Sequence, residues 1–135
     1  MAGLLSLART VDKARAFNAG ALGEYRYDCP HDKRLLQFLG IDAKTFAESV
    51  GKMGSDAEIA KWAERNLLAR KTTREIEAFN RDSLHWRPYP GSEAEKMFRE
   101  QRSKLAPDRD DVTTWFELLD LDERRYVPQH LREAA

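Results

Sequence analysis

Apolar residues recur every three or four positions along most of the chain, which is the period of an amphipathic α-helix. The first such segment runs from about Leu4 to Ala19. A second follows Pro30, which suits the first turn of a helix because its missing N–H needs no partner there. Asp42 is placed to cap a third. No convincing pair of strands is present, so the pattern predicts an all-α protein of about six short helices.

Four further helix starts carry the capping box, a Ser or Thr followed three residues later by Glu. The pairs are Ser55 with Glu58, Thr72 with Glu75, Ser92 with Glu95 and Thr114 with Glu117. In this motif the hydroxyl accepts a hydrogen bond from an early backbone N–H, and the carboxylate reaches back to the N–H of the capping residue. The polar end of the chain after Pro128 predicts a loose tail over residues 126–135.

Length and composition narrow the class of protein. A chain of 135 residues fits a single domain, and its 41% hydrophobic residues are enough for a core. The 23 basic and 23 acidic residues cancel, which argues against nucleic-acid binding by bulk charge.

A single cysteine excludes an internal disulfide and favours a reducing compartment. No apolar run reaches the roughly 20 residues that cross a membrane, and the start does not resemble a signal peptide, so we expect a cytoplasmic protein.

The densest polar cluster is residues 24–32, which hold the only cysteine, one histidine and three carboxylates. Cys29 immediately precedes Pro30, and a helix N-terminus favours a thiolate. His31 is close enough in sequence to act as a base for that thiol. The structural alternative is a small buried cysteine, with an aspartate satisfying the first turn of the helix.

Metal binding is a weaker hypothesis, because zinc needs three or four Cys, His or carboxylate ligands. Cys29 and His31 are close together, whereas His85 and His130 lie far along the chain. We therefore expect no metal and no cofactor.

Arg15 falls on the apolar side of the first helix, where a guanidinium needs a carboxylate partner, and Glu24 or Asp32 is the predicted partner. Asp12 can also pair with Arg15 at three-residue spacing. Two interpretations remain open. One is a solvated charged face with one inward salt bridge. The other is an anion pocket that contains Arg9, Lys13 and Arg15.

Several strings of residues resemble a family of small uncharacterised bacterial proteins known only as a domain of unknown function. They are Leu7-Ala8-Arg9, Asp12-Lys13-Ala14-Arg15-Ala16, Gly23-Glu24-Tyr25 with Tyr27, Cys29-Pro30 and Asp32, Phe38-Leu39-Gly40-Ile41-Asp42, and the late segment 110–122. The resemblance implies a bacterial single-domain protein and no particular reaction. Its signature positions are Asp12, Arg15, Glu24, Tyr25, Tyr27, Cys29 and Asp32.

Together these features predict a non-enzymatic ligand-binding or interaction module, with a small anion or a protein as its partner. Its site is expected between the first helix and the segment Glu24–Asp32, with Asp12, Arg15, Tyr25 and Tyr27 as ligand-binding candidates. The alternative is a thiol- or metal-dependent enzyme. It would use Cys29 as nucleophile or redox thiol, Asp32 or Glu24 as acid and base, and Arg15 as anion clamp. An accessible Cys29 in a concave pocket favours the enzyme, and a buried Cys29 with an apolar patch elsewhere favours the module.

Overall fold

A computed structural model of the chain describes residues 1–23, 27 and 29–130. Within these ranges the chain forms seven helices and no strand, which confirms the all-α class; the pattern had predicted about six. The helices are α1 (Leu7–Asn18), α2 (Pro30–Leu39), α3 (Ala43–Gly51), α4 (Asp56–Asn66), α5 (Thr73–His85), α6 (Glu93–Leu105) and α7 (Trp115–Asp122).

The chain divides into two compact units, Met1–Asn80 and Arg81–Ala135. In the first unit α1 packs on α3, and the side-chain amide of Asn18 donates to the carbonyl of Ala47 at 2.9 Å. Its core is built from the apolar faces of the first four helices. The fully buried large members are Leu7, Val11, Leu35, Phe46, Val50 and Ile59.

The second unit has a smaller core in which α6 packs on α7. Phe98, Val112, Leu118 and Val127 are buried there. The ring of Trp115 meets the Phe98 ring edge-on at a centroid distance of 5.2 Å. Aromatic contacts of this kind add to the stabilisation that burial provides.

Helix α1 begins three residues later than the predicted start at Leu4, because the backbone turns before it. Ser6 lies in the left-handed region with φ 67°, a conformation that does not continue a right-handed helix. The side chain of Asn80 holds this turn: it accepts from the Leu5 N–H at 2.8 Å and donates to the Gly3 carbonyl at 2.9 Å. Leu4 remains buried although it is not helical.

The predicted helix starts are confirmed by their side-chain caps. Hydroxyls accept from the N–H three residues later, at 3.1–3.2 Å, in Ser55, Thr72, Ser92 and Thr114. The full reciprocal box closes at Thr114 with Glu117. In both serine boxes the glutamate instead accepts from the glycine N–H just before the serine, at 3.3 Å. The motif therefore locates the helix start, whereas the reciprocal bond depends on local backbone geometry.

Residues 127–130 make specific contacts with the second unit, although they lie in the segment predicted as a loose tail. The Val127 side chain is buried in the core of that unit. Arg109 donates to the Pro128 carbonyl at 3.0 Å, and the His130 N–H donates to Asp111 at 3.0 Å. The last five residues of the chain lie outside the described ranges.

Candidate functional site

Helices α1 and α2 meet at a buried ion pair. The Lys13 ammonium lies 2.6 Å from Oδ2 of Asp32, and the two side chains are 9% and 0% exposed. The Thr10 hydroxyl donates to the other carboxylate oxygen, Oδ1, at 3.1 Å. Both oxygens of the aspartate are therefore hydrogen-bonded, which is the condition under which a charged group is tolerated inside a protein.

The same carboxylate completes the start of α2. Cys29 is the N-cap residue, and its N–H donates to Oδ2 of Asp32 at 3.1 Å. Its sulfur occupies the place of the capping hydroxyl and accepts from the N–H of Asp32, and Pro30 is the first helical residue, as predicted. The aspartate at the first turn, anticipated as the structural alternative to catalysis, thus belongs to a capping box that uses cysteine in place of serine.

The charge state of Asp32 follows from two opposing effects. Burial raises the pKa of the carboxyl group. The hydrogen bond and charge of Lys13, together with hydrogen bonds from Cys29, outweigh burial and hold the pKa below its usual 3.8. Asp32 is therefore ionised at neutral pH.

His31, which follows Pro30 in the first turn of α2, lies among cations. Burial, and then the charge of Arg9, lower its pKa from 6.5 to about 4. Lys13 and Arg34 act in the same direction, and only the carboxylate of Asp32 opposes them. The imidazole is therefore neutral at neutral pH, in a field that disfavours its protonation.

Helical spacing accounts for this cluster of cations. Arg9 lies one turn before Lys13 on α1, and Arg34 lies one turn after His31 on α2. The Lys13–Asp32 bond brings these two faces together. We call this group of side chains, Arg9, Lys13, His31, Asp32 and Arg34, the α1–α2 junction.

Asp32 pairs with Lys13 and not with Arg15, which corrects the prediction for the first helix. Arg15 is 36% exposed and contacts Asp56 at 2.6 Å and Asp12 at 3.6 Å. The buried residues of α1 end at Ala14, so Arg15, which the sequence pattern placed on the apolar side, lies outside them. Lys13 was named for a possible anion pocket but was not predicted as the partner of Asp32, because a charged residue in an amphipathic pattern is ordinarily assigned to the solvent face.

Three other candidates were Glu24, Tyr25 and Tyr27. Glu24 and Tyr25 lie outside the described residues. Tyr27 is buried, donates from its hydroxyl to the Ala43 carbonyl at 2.6 Å, and packs on the Phe17 ring at 5.2 Å. These contacts attach Tyr27 to α1 and to the start of α3.

Cys29 is half-buried. An enzyme was expected to have an accessible Cys29 and a binding module a buried one, and the observed exposure lies between the two. Its sulfur lies 3.2 Å from the Lys13 ammonium.

Among the residues that the structure describes, no three His, Cys, Asp or Glu side chains converge as metal ligands do. Of the helices in the described ranges, none combines the length and apolar character needed to cross a bilayer.

Fold and site together define an all-α protein whose first two helices meet at a buried Lys–Asp pair surrounded by cations. The chain belongs to the family described as a domain of unknown function, DUF5069, whose family model matches residues 1–125. This confirms the resemblance to a family without an assigned function. No curated protein matches the chain.

Proposed function

We propose that this protein is a non-enzymatic binding module, and that its ligand is a small anion held at the α1–α2 junction. The observation that carries the proposal is the placement of three cations, Arg9, Lys13 and Arg34, around one imidazole and one carboxylate. Guanidinium groups suit this task because they stay charged and can bind carboxylate or phosphate oxygens in pairs.

Each group has a distinct role in this proposal. Lys13 is fixed by Asp32 and contributes a stationary charge at the base of the junction. Arg9 and Arg34 are only partly buried, so their ends can exchange present contacts for a ligand. The neutral His31 can donate one hydrogen bond to an anion without a proton being taken up first.

The proposal also includes that the two units work as one domain and that the protein acts in the cytoplasm of a bacterium. The family match runs from residue 1 to residue 125 and so spans both units, which supports a chain that works as one domain. One cysteine in 135 residues and balanced charge are in keeping with the cytoplasm of a bacterium and with a partner other than nucleic acid.

The test is a titration of the protein with inorganic phosphate, in which binding is monitored by amide chemical shifts and by calorimetry. We expect saturable shifts at residues 9, 13, 31 and 34. Arg9→Met and Arg34→Met should each weaken binding about tenfold or more, since a charged hydrogen bond contributes about 1.5–3 kcal/mol.

Two further variants locate the site. Arg15→Met measures whether the ligand reaches the originally predicted residues, and the proposal expects no change because Arg15 pairs with Asp56. Arg74→Met, on the exposed surface of α5, is the matched control for a lost positive charge. Equal losses in all four arginine variants would show a diffuse charge effect and refute a defined site.

A second candidate is a thiol-dependent enzyme that uses Cys29, with Asp32 or Glu24 as acid and base. One observation favours it: the Lys13 ammonium lies 3.2 Å from the sulfur, and a neighbouring cation stabilises a thiolate. Alkylation of the native protein separates the candidates. Reaction no faster than that of a model thiol at neutral pH excludes an activated nucleophile.

A further inference from the structure

Next to the α1–α2 junction, the thiol of Cys29 lies close to the amine of Lys13. The distance between Sγ and Nζ is 3.2 Å. The lysine cannot easily move away, because its side chain is 9% exposed and its ammonium is bonded to Asp32 at 2.6 Å. Cys29 is half-buried, so the residue is within reach of a small oxidant while the amine is already in place.

We propose that Cys29 and Lys13 form a reversible covalent bond between Sγ and Nζ, a sulfenamide, when a hydroperoxide oxidises the thiol. The modification site consists of both side chains, because Lys13 reacts with the oxidised Cys29. The proposal is independent of the anion and of any enzymatic activity.

The chemistry balances in two steps. First, the sulfur attacks the hydroperoxide, the O–O bond breaks, and the products are Cys29 sulfenic acid and water or an alcohol. Second, the Lys13 ammonium gives a proton to the Asp32 carboxylate, and the amine lone pair attacks sulfur. The S–O bond breaks, the departing hydroxide takes a second proton from the amine nitrogen and leaves as water, and a neutral N–S bond remains. Asp32 then releases the first proton to the solvent. With hydrogen peroxide the sum is one thiol, one ammonium and one peroxide giving one sulfenamide, two waters and one proton.

Asp32 is placed for this transfer because the Lys13 ammonium, which gives up the proton, already contacts its Oδ2. It lies 2.6 Å from Nζ of Lys13 and 3.1 Å from the backbone nitrogen of Cys29. The bond would tie residue 13 of α1 to the N-cap of α2 and would remove one positive charge from the junction. A thiol reductant reverses it, because thiolates attack the sulfur of such bonds.

The experiment is intact-mass and peptide analysis of the native protein after hydrogen peroxide treatment. We expect a mass lower by about 2 Da, restored by dithiothreitol, because two hydrogens are lost and no oxygen is retained. Tryptic digestion without reductant should yield peptide 10–15 joined to peptide 27–33, since modified Lys13 is no longer cleaved.

Three controls make the outcome decisive. Cys29→Ser should show no mass loss. Lys13→Arg keeps the positive charge but should let Cys29 proceed to the sulfinic acid, which is heavier by about 32 Da. Wild-type protein oxidised in urea, where proximity is lost, should also give that heavier product. If the native protein gives only the heavier acids or a disulfide-linked dimer, with no joined peptide, the proposal is wrong.

Discussion

Lys13 and Asp32 form an ion pair 2.6 Å long in which the carboxylate is fully buried. Asp32 has two structural roles, because its carboxylate also accepts a hydrogen bond from the N–H of Cys29 at the start of α2. One carboxylate thus fixes the first turn of a helix and ties that helix to α1. Removing either charge leaves the other buried and unpaired, which is far costlier than losing an exposed pair.

The first prediction concerns this pair. Asp32→Asn should lower the free energy of unfolding by about 3 kcal/mol or more, because it leaves the Lys13 ammonium buried without an opposite charge. The matched control is Asp56→Asn, which breaks the exposed pair with Arg15 and should cost at most about 1 kcal/mol. Urea denaturation followed by circular dichroism measures both. Similar costs for the two variants would mean that the buried pair contributes no more than a surface contact.

The second prediction concerns pH. His31 has a folded pKa of about 4 against 6.5 for an ordinary histidine, mainly because of burial and the charge of Arg9. Between these values the unfolded chain binds a proton that the folded protein does not. Stability therefore rises with pH across this window and falls as the solution is acidified, by up to about 3 kcal/mol.

Denaturation at several pH values checks this dependence. His31→Gln should flatten the slope between pH 6.5 and about 4. His85→Gln, at an exposed histidine, should keep the wild-type slope. The paired carboxylate of Asp32 adds its own loss of stability only at lower pH, since its folded pKa lies below 3.8. An unchanged slope in His31→Gln would contradict the assignment of this window to His31.

The third prediction compares two neighbours near the C-terminus. Val127 is 5% exposed in the core of the second unit, whereas Tyr126 is 87% exposed. Val127→Ala should destabilise by about 1–2 kcal/mol, because it leaves a cavity beside Phe98, Val112 and Leu118. Tyr126→Ala should change stability by no more than about 0.5 kcal/mol. Equal small effects in thermal unfolding would show that this segment does not contribute to the core.

Much of the fold could be predicted from the sequence because its signals are local. The hydroxyl of Thr114 and the carboxylate of Asp42 both cap the helices that their positions predict. Gly40 ends α2 with φ 71°, a conformation that glycine adopts without strain.

The site was predicted only in part, since its partners are set by long-range packing. Cys29 and Asp32 were singled out, but the cation that joins them lies 16 and 19 positions earlier in the chain. Lys13 and Arg15 lie on opposite sides of the apolar stripe of α1, about 200° apart around the helix. The pattern of α1 alone does not show which of these two sides α2 covers. The side chain of Asn80 that shapes the start of α1 is more remote still, 75 positions from its partner Leu5.

Binding of a small anion at the α1–α2 junction can be followed directly through the pKa of His31. The imidazole is titrated by NMR in chloride and in sulfate at matched ionic strength, and sulfate keeps its charge throughout the titration. We expect a pKa of about 4 in chloride, and anion binding predicts a clear upward shift in sulfate, because the bound anion stabilises the imidazolium. Identical titration curves in the two salts would contradict it.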